Sequence, residues 1–171
     1  KLDTCMELVH GALDGGHRIL LFSQFTGMLD IIGKRLAKED IAFLKLTGAS
    51  SKESRAKMVA QFQAGEVPVF LISLKAGGVG LNLTAADVVI HYDPWWNVAA
   101  QDQATDRAHR IGQQHTVTVY KLIAKDTIEE RIMQMQESKR DLVNSVLGGD
   151  GISSALFTRE DVLALLGGDG R

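Results

Sequence analysis

Arg107 and Arg110 lie three residues apart in a run reading Gln103-Ala104-Thr105-Asp106-Arg107-Ala108-His109-Arg110-Ile111-Gly112-Gln113. On a helix this spacing turns both guanidiniums to nearly the same side, where together they could engage one multiply charged anion. Gly112 ends the predicted helix just after the pair, which places both near an edge of the domain. Such a position suits arginines supplied to a nucleotide held elsewhere, where they stabilise charge in phosphoryl transfer. A solvated basic helix face would produce the same spacing, and spacing alone leaves both readings open.

A second candidate is the turn Gly77-Gly78-Val79-Gly80. No strand-to-helix turn in the chain reads G-x-x-x-x-G-K-[ST], so a Walker-type phosphate cradle is absent. The dinucleotide fingerprint also fails, because the position three after Gly80 is Leu83 and no helical pattern follows. A tight loop between strands would account for the glycines. Its predicted place at the carboxyl end of a parallel strand is, however, where open α/β sheets bind ligands. Trp95 and Trp96 are adjacent on an extended segment and point to opposite sides, so only one can easily join a core. The five histidines, His10, His17, His91, His109 and His115, include no i/i+4 pair and no cysteine partner at ligand spacing. No metal held by protein side chains alone is expected.

Short β-rich runs alternate with helical patterns, which favours a parallel sheet covered by helices: the class is α/β. Arg18 to Ser23 reads as a buried strand, followed by a helix with Thr26 as N-cap and Met28, Leu29, Ile31, Ile32 and Leu36 on one face. A strand is expected around Ala42 to Leu46. Ser50 with Glu53 resembles a capping box, opening a helix buried through Val59 and Phe62 and closed by Gly65. Val69 to Ser73 and Val88 to Tyr92 are further strands, the latter ended by Asp93-Pro94. A helix follows from about Val98 to His109, then a strand over Thr116 to Ile123. Asp126 with Glu129 starts another helix with Ile128, Ile132 and Met135 inward. Gly148-Gly149-Asp150-Gly151 forms a break, and Thr158 caps a short terminal helix carrying Val162, Leu163, Leu165 and Leu166. The domain division is therefore 1–147 and 148–171.

A chain of 171 residues, 45% hydrophobic, suits one core-bearing domain. Its 19 Lys+Arg against 21 Asp+Glu mean that nucleic-acid affinity must come from a local basic face. Cys5 is the single cysteine, which excludes an intrachain disulfide and favours a reducing, intracellular setting. The apolar runs fall far short of the roughly 20 residues needed to span a bilayer, and no charged-then-apolar leader opens the chain, so no membrane association is expected. Lys1 opens the chain directly into helical spacing at Leu2, Met6, Leu8, Val9 and Leu13, which suggests a beginning inside a larger protein.

Five blocks in order carry a resemblance: Ile19 to Phe25, Leu46-Thr47-Gly48, Ser73 to Asp87, Asp93-Pro94-Trp95-Trp96-Asn97 and Gln103 to Gln113. Together they resemble the C-terminal lobe, motifs IV to VI, of the Swi/Snf-like branch of superfamily 2 helicases. The resemblance implies a RecA-like three-layer fold, a mostly parallel sheet with helices on both faces and a C-terminal helical extension. It also implies two lobes that sandwich ATP and ride on duplex DNA. Carried onto this sequence, it makes Arg107 and Arg110 arginine fingers, with Gln103, Gly78 and Gly80 beside the nucleotide. Ser23, Gln24, Thr47, Gly48, Lys75 and Asn82 fall near the DNA backbone, and Trp95 or Trp96 couples nucleotide state to DNA movement. Hydroxyl, amide and glycine contacts to phosphates position without reading sequence, so DNA binding should be sequence-independent. Where the family has proline after Trp-Asn, this chain has Val98.

The family's Walker lysine and Asp-Glu box, which hold ATP and its Mg2+, belong to the first lobe and do not occur here. The expectation is thus half of an ATPase site, inactive without the N-terminal lobe and acting on duplex DNA, with a DNA-bound protein as a further partner. The compact block spacing leans towards a bacterial cytoplasm; a eukaryotic source would place it in the nucleus. The alternative is a non-catalytic DNA- or protein-interaction domain of the same fold. A Rossmann-type oxidoreductase lacks its fingerprint and any hydride-transfer residues.

Overall fold

Ile19–Ser23 (β1), Val69–Ser73 (β3) and Val88–His91 (β4) are unbroken apolar runs apart from their last residues, and every residue in them is buried. Such runs suit strands covered on both faces, and they sit in the middle of a five-stranded, all-parallel sheet. The strand order is β2-β3-β1-β4-β5, with Phe43–Leu46 (β2) and Thr118–Lys121 (β5) at the edges. The computed structural model describes residues 1–76, 81–95, 97–109 and 111–147. The expected break and terminal helix at 148–171, and with them that part of the domain division, lie outside the described residues.

Alternation along the strands divides the core into two layers. Ile19 and Leu21, Val69 and Leu71, and Val88 and Ile90 face Leu2–Asp14 (α1) and Thr26–Lys38 (α2), whose Cys5, Met6, Val9, Leu29, Ile32 and Leu36 complete the cluster. Leu20 and Phe22, Phe70 and Ile72, and Val89 face Lys52–Gln63 (α3) and Val98–Thr105 (α4) through Phe62 and Ala104. Burying each large apolar side chain contributes about 1.5–3 kcal/mol, so strands this apolar have no favourable solvent-facing alternative. This is the expected three-layer, RecA-like α/β fold. Ile128–Leu147 (α5) is a further long helix. None of the described helices is long and apolar enough to cross a membrane.

Several boundaries differ from the sequence expectation, each for a local reason. Phe25, not Thr26, is the N-cap of α2, and no side-chain cap bond forms there. Ser51, one residue beyond the expected Ser50, caps α3 by accepting from the Ser54 amide, 3.1 Å. Ser50 instead closes the preceding turn, its hydroxyl accepting from the Thr47 amide. α3 does end at Gly65, where φ is +86° and the Gly65 and Glu66 amides bond back to Phe62 and Gln61, the 5→2 and 6→1 pair of a Schellman end. α5 begins at Ile128, and Thr127 accepts from the Glu129 amide ahead of it. Ile132 is buried as expected, but Ile128 and, on α2, Ile31 are exposed. Strand β5 is shorter than the expected 116–123 and exposed throughout, as befits an edge. At α4, Asn97 caps the helix by accepting from the Ala99 amide, 3.0 Å, so the start is pinned despite Val98 replacing proline.

Candidate functional site

Because all strands run parallel, the loops after β1, β2, β3 and β4 emerge on one edge of the sheet, and β1 lies where the order reverses, between β3 and β4. Carboxyl-end crevices at such reversals are the usual ligand sites of open α/β sheets. Ser23 and Gln24 end β1, Thr47 and Gly48 follow β2, Lys75 follows β3, and Trp95 follows β4. The fold therefore brings these residues to one edge. Gly48 and Lys75 are exposed, and Gln24 and Thr47 partly so. A methyl group added at Gly48 would meet nothing within 4 Å, so the lobe's own packing does not require glycine there.

Ser23 behaves differently from the other backbone-track candidates. It is fully buried, its hydroxyl donates to the Asp93 carboxylate, and its oxygen accepts from the Phe25 amide, 3.1 Å. Asp93 also accepts from the Gln24 amide, 2.9 Å, and so joins the tips of β1 and β4. Burial pushes the Asp93 carboxyl above its ordinary value, against the lowering effect of those two hydrogen bonds. Sequence reading treated Asp93 only as a strand end, since nothing in its spacing indicates a partner 70 residues away.

The run from Val98 corrects the expected geometry. α4 stops at Thr105 rather than His109, and the chain tightens into turns with Arg107 N–H bonded to Ala104 and Ala108 N–H to Thr105. Arg107 sits in this turn, only 2% exposed, and not on a solvated helix face. Its carbonyl accepts from the Leu83 amide, 3.1 Å, tying the turn to the segment that begins with Leu81-Asn82. The Gln113 side-chain amide adds bonds to the carbonyls of Thr84, Ala86 and Ala108, at 2.8–3.0 Å. Gln103, on α4, and Asn82 are exposed. Arg110, Gly78, Gly80 and Trp96 lie outside the described residues.

Two buried amides hold the Trp95 backbone. Gln101 Oε1 accepts from its N–H, 3.1 Å, and Gln136 of α5 donates to its carbonyl. Trp95 itself is partly buried. Behind it, His91 stacks on Phe22, with ring centroids 5.5 Å apart, and meets Thr105 Oγ1 at 2.9 Å. That hydroxyl donates to the Gln101 carbonyl, 3.3 Å, so His91 must carry its proton on Nε2 to complete the chain. Burial, reinforced by Lys121, lowers the His91 pKa from 6.5 to about 4. His91 is thus neutral at physiological pH and structural.

The remaining titratable groups point away from other chemistries. His10 pairs with Glu39 and His17 with Asp87. Burial pushes the Asp87 carboxyl up, but hydrogen bonds from His17 and the Arg18 amide outweigh it and hold it below its ordinary value. Burial raises the Cys5 thiol to about 12, leaving it a small core side chain and not a nucleophile. Among the described residues no cluster of His, Cys, Asp and Glu could hold a metal ion.

A family model described as the helicase conserved C-terminal domain matches residues 1–112. An uncharacterized ATP-dependent helicase of Mycoplasma pneumoniae is 45% identical over 166 residues, 96% of this chain and 16% of its own length. The chromatin-remodeling ATPase INO80 of Cryptococcus neoformans is 48% identical over 163 residues, 95% of this chain and 9% of its own. Among solved structures, the Sulfolobus solfataricus SWI2/SNF2 ATPase core in complex with dsDNA superposes with a TM-score of 0.70 at 40% identity, covering 84% of this chain and 30% of that one. The chain thus spans less than a fifth of the curated relatives it matches.

Proposed function

We propose that this chain, which belongs to the helicase conserved C-terminal domain family as the C-terminal lobe of a Swi/Snf-like ATPase, works as the second half of an ATP-driven motor on duplex DNA. The observation that carries this reading is the gathering of the Gln24, Thr47-Gly48 and Lys75 loops on one edge of a parallel sheet, next to the turn that holds Arg107. ATP, with Mg2+ held by a first lobe, supplies a phosphoanhydride whose cleavage drives movement. From this chain, Arg107 and Arg110 stabilise charge on the transferring phosphoryl group, and Gln103 with Gly78 and Gly80 lines the nucleotide. Gln24, Thr47, Gly48, Lys75 and Asn82 contact DNA phosphates. Ser23, whose hydroxyl is engaged by Asp93, holds the Gln24 loop in place instead of touching DNA. Trp95 and Trp96 couple the nucleotide side to the DNA side through Gln101 and the start of α4.

The chain has no phosphate-cradling loop, so the purified 171-residue protein should show no DNA-stimulated ATP hydrolysis, whereas the full-length protein should. Robust turnover by the chain alone, abolished by Arg110→Ala, would show a complete site where half is proposed. A domain that only binds DNA or protein would differ in one respect: full-length ATPase activity would survive replacement of the arginine pair.

A further inference from the structure

Arg55 occupies the first turn of α3, a poor place for a cation, because the amino end of a helix already carries partial positive charge. What holds its guanidinium there is a set of three backbone carbonyls from two loops. Nε donates to Ser50, 3.1 Å, Nη2 reaches Thr47 at 3.5 Å, and Nη1 donates to Ala76, 3.2 Å. Thr47 and Ser50 close the turn after β2, and Ala76 closes the turn after β3, bonding back to Ser73. Lys75 lies between the last β3 residue and Ala76, and Gly48 lies inside the Thr47–Ser50 turn.

We infer that Arg55 is a positioning residue for the DNA track: its planar fork fixes the spacing between the Thr47-Gly48 loop and the Lys75 loop so that both reach phosphates of one backbone. This rests on the functional reading above. The charge of Arg55 faces carbonyls and neutralises no phosphate, whereas that of Lys75 is free to do so. A phosphate-contacting cation lowers the salt dependence of DNA binding by about one ion when it is removed. A positioning cation lowers affinity and leaves that slope alone.

The test compares Arg55→Gln and Lys75→Ala in the full-length protein, reading the DNA concentration for half-maximal ATPase stimulation at several salt concentrations, kcat at saturating DNA, KM for ATP, and Tm. Arg55→Gln should raise half-saturating DNA by on the order of tenfold, the scale of loss that small misplacements cause, with an unchanged salt slope and ATP KM. Lys75→Ala should weaken binding and reduce the slope by about one. Arg55→Lys keeps the charge but not the fork, so it should behave like Arg55→Gln; it carries the test if the glutamine variant fails to fold. Half-saturating DNA within about twofold of wild type in the Arg55 variants, even with a lowered Tm, would make Arg55 merely structural and overturn the proposal. A slope reduced by about one in Arg55→Gln would overturn it too, by making Arg55 a direct contact. An unchanged Lys75→Ala beside a weakened Arg55→Gln would remove Lys75 from the track and leave Arg55 in its role.

Discussion

At the scale of single residues, burial separates roles that residue type alone does not. Arg107 reads in the sequence as one of two edge arginines whose replacement would hardly disturb folding. At 2% exposure, in a turn bonded to Leu83, it contributes to the lobe's structure as well as to its proposed chemistry. Arg107→Lys should therefore lower stability by roughly 1–3 kcal/mol, since a lysine cannot reproduce a buried planar fork, and thermal melting checks this. His91 makes a pH-dependent prediction. The unfolded chain binds its proton near pH 6.5, while the folded chain resists until about 4. Between these values the unfolded state holds more protons, so stability falls as pH drops through the window, by on the order of 3 kcal/mol. Above pH 6.5 the contribution is complete. Denaturant titrations at pH 7 and pH 4.5 should show this loss, and His91→Gln should flatten it. Equal pH dependence in both proteins would assign the loss to other groups. The candidate arginines, the track glycine and lysine, and the tryptophans were legible from motif text. Asp93, Arg55, Gln101 and Gln136 were not, because their partners are backbone groups or side chains remote in sequence, which spacing cannot reveal.

At the scale of elements, the central strands were legible because β1, β3 and β4 are buried on both faces and read as continuous apolar runs. Helix ends were less so. α4 was extended four residues too far because Arg107 to His109 continue its composition, while their amides had switched to the tighter turns of a helix end. The end of α2 hides another cap: Asp40 takes φ +55°, and the Asp40 and Ile41 amides bond back to Ala37 and Leu36, as they would at a terminal glycine. Asp40 is exposed, so its left-handed backbone is what a substitution there would test. Asp40→Val should cost about 1 kcal/mol, and Asp40→Gly should match or exceed wild type in Tm. A valine variant as stable as the glycine one would show that this cap carries no strain.

At the scale of the whole molecule, 19 basic against 21 acidic residues provide no general attraction to DNA, so affinity must come from the one edge where the loops gather. Binding should be indifferent to duplex sequence and fall linearly in log–log plots against salt, by about 0.9 per phosphate neutralised. Strong preference for one duplex at physiological salt would count against phosphate contacts. The central claim is that this lobe completes an ATPase site with arginines. They would meet the γ-phosphate only on lobe closure, so their removal should appear in kcat more than in ATP affinity. The most direct test is DNA-stimulated kcat of Arg110→Lys in the full-length protein, with Tm measured alongside. A fall of at least about a hundredfold with little change in ATP KM or Tm is expected, a tenth of the smallest effect usual for such arginines. Near-normal turnover at unchanged Tm would contradict the finger role and leave the lobe a binding domain.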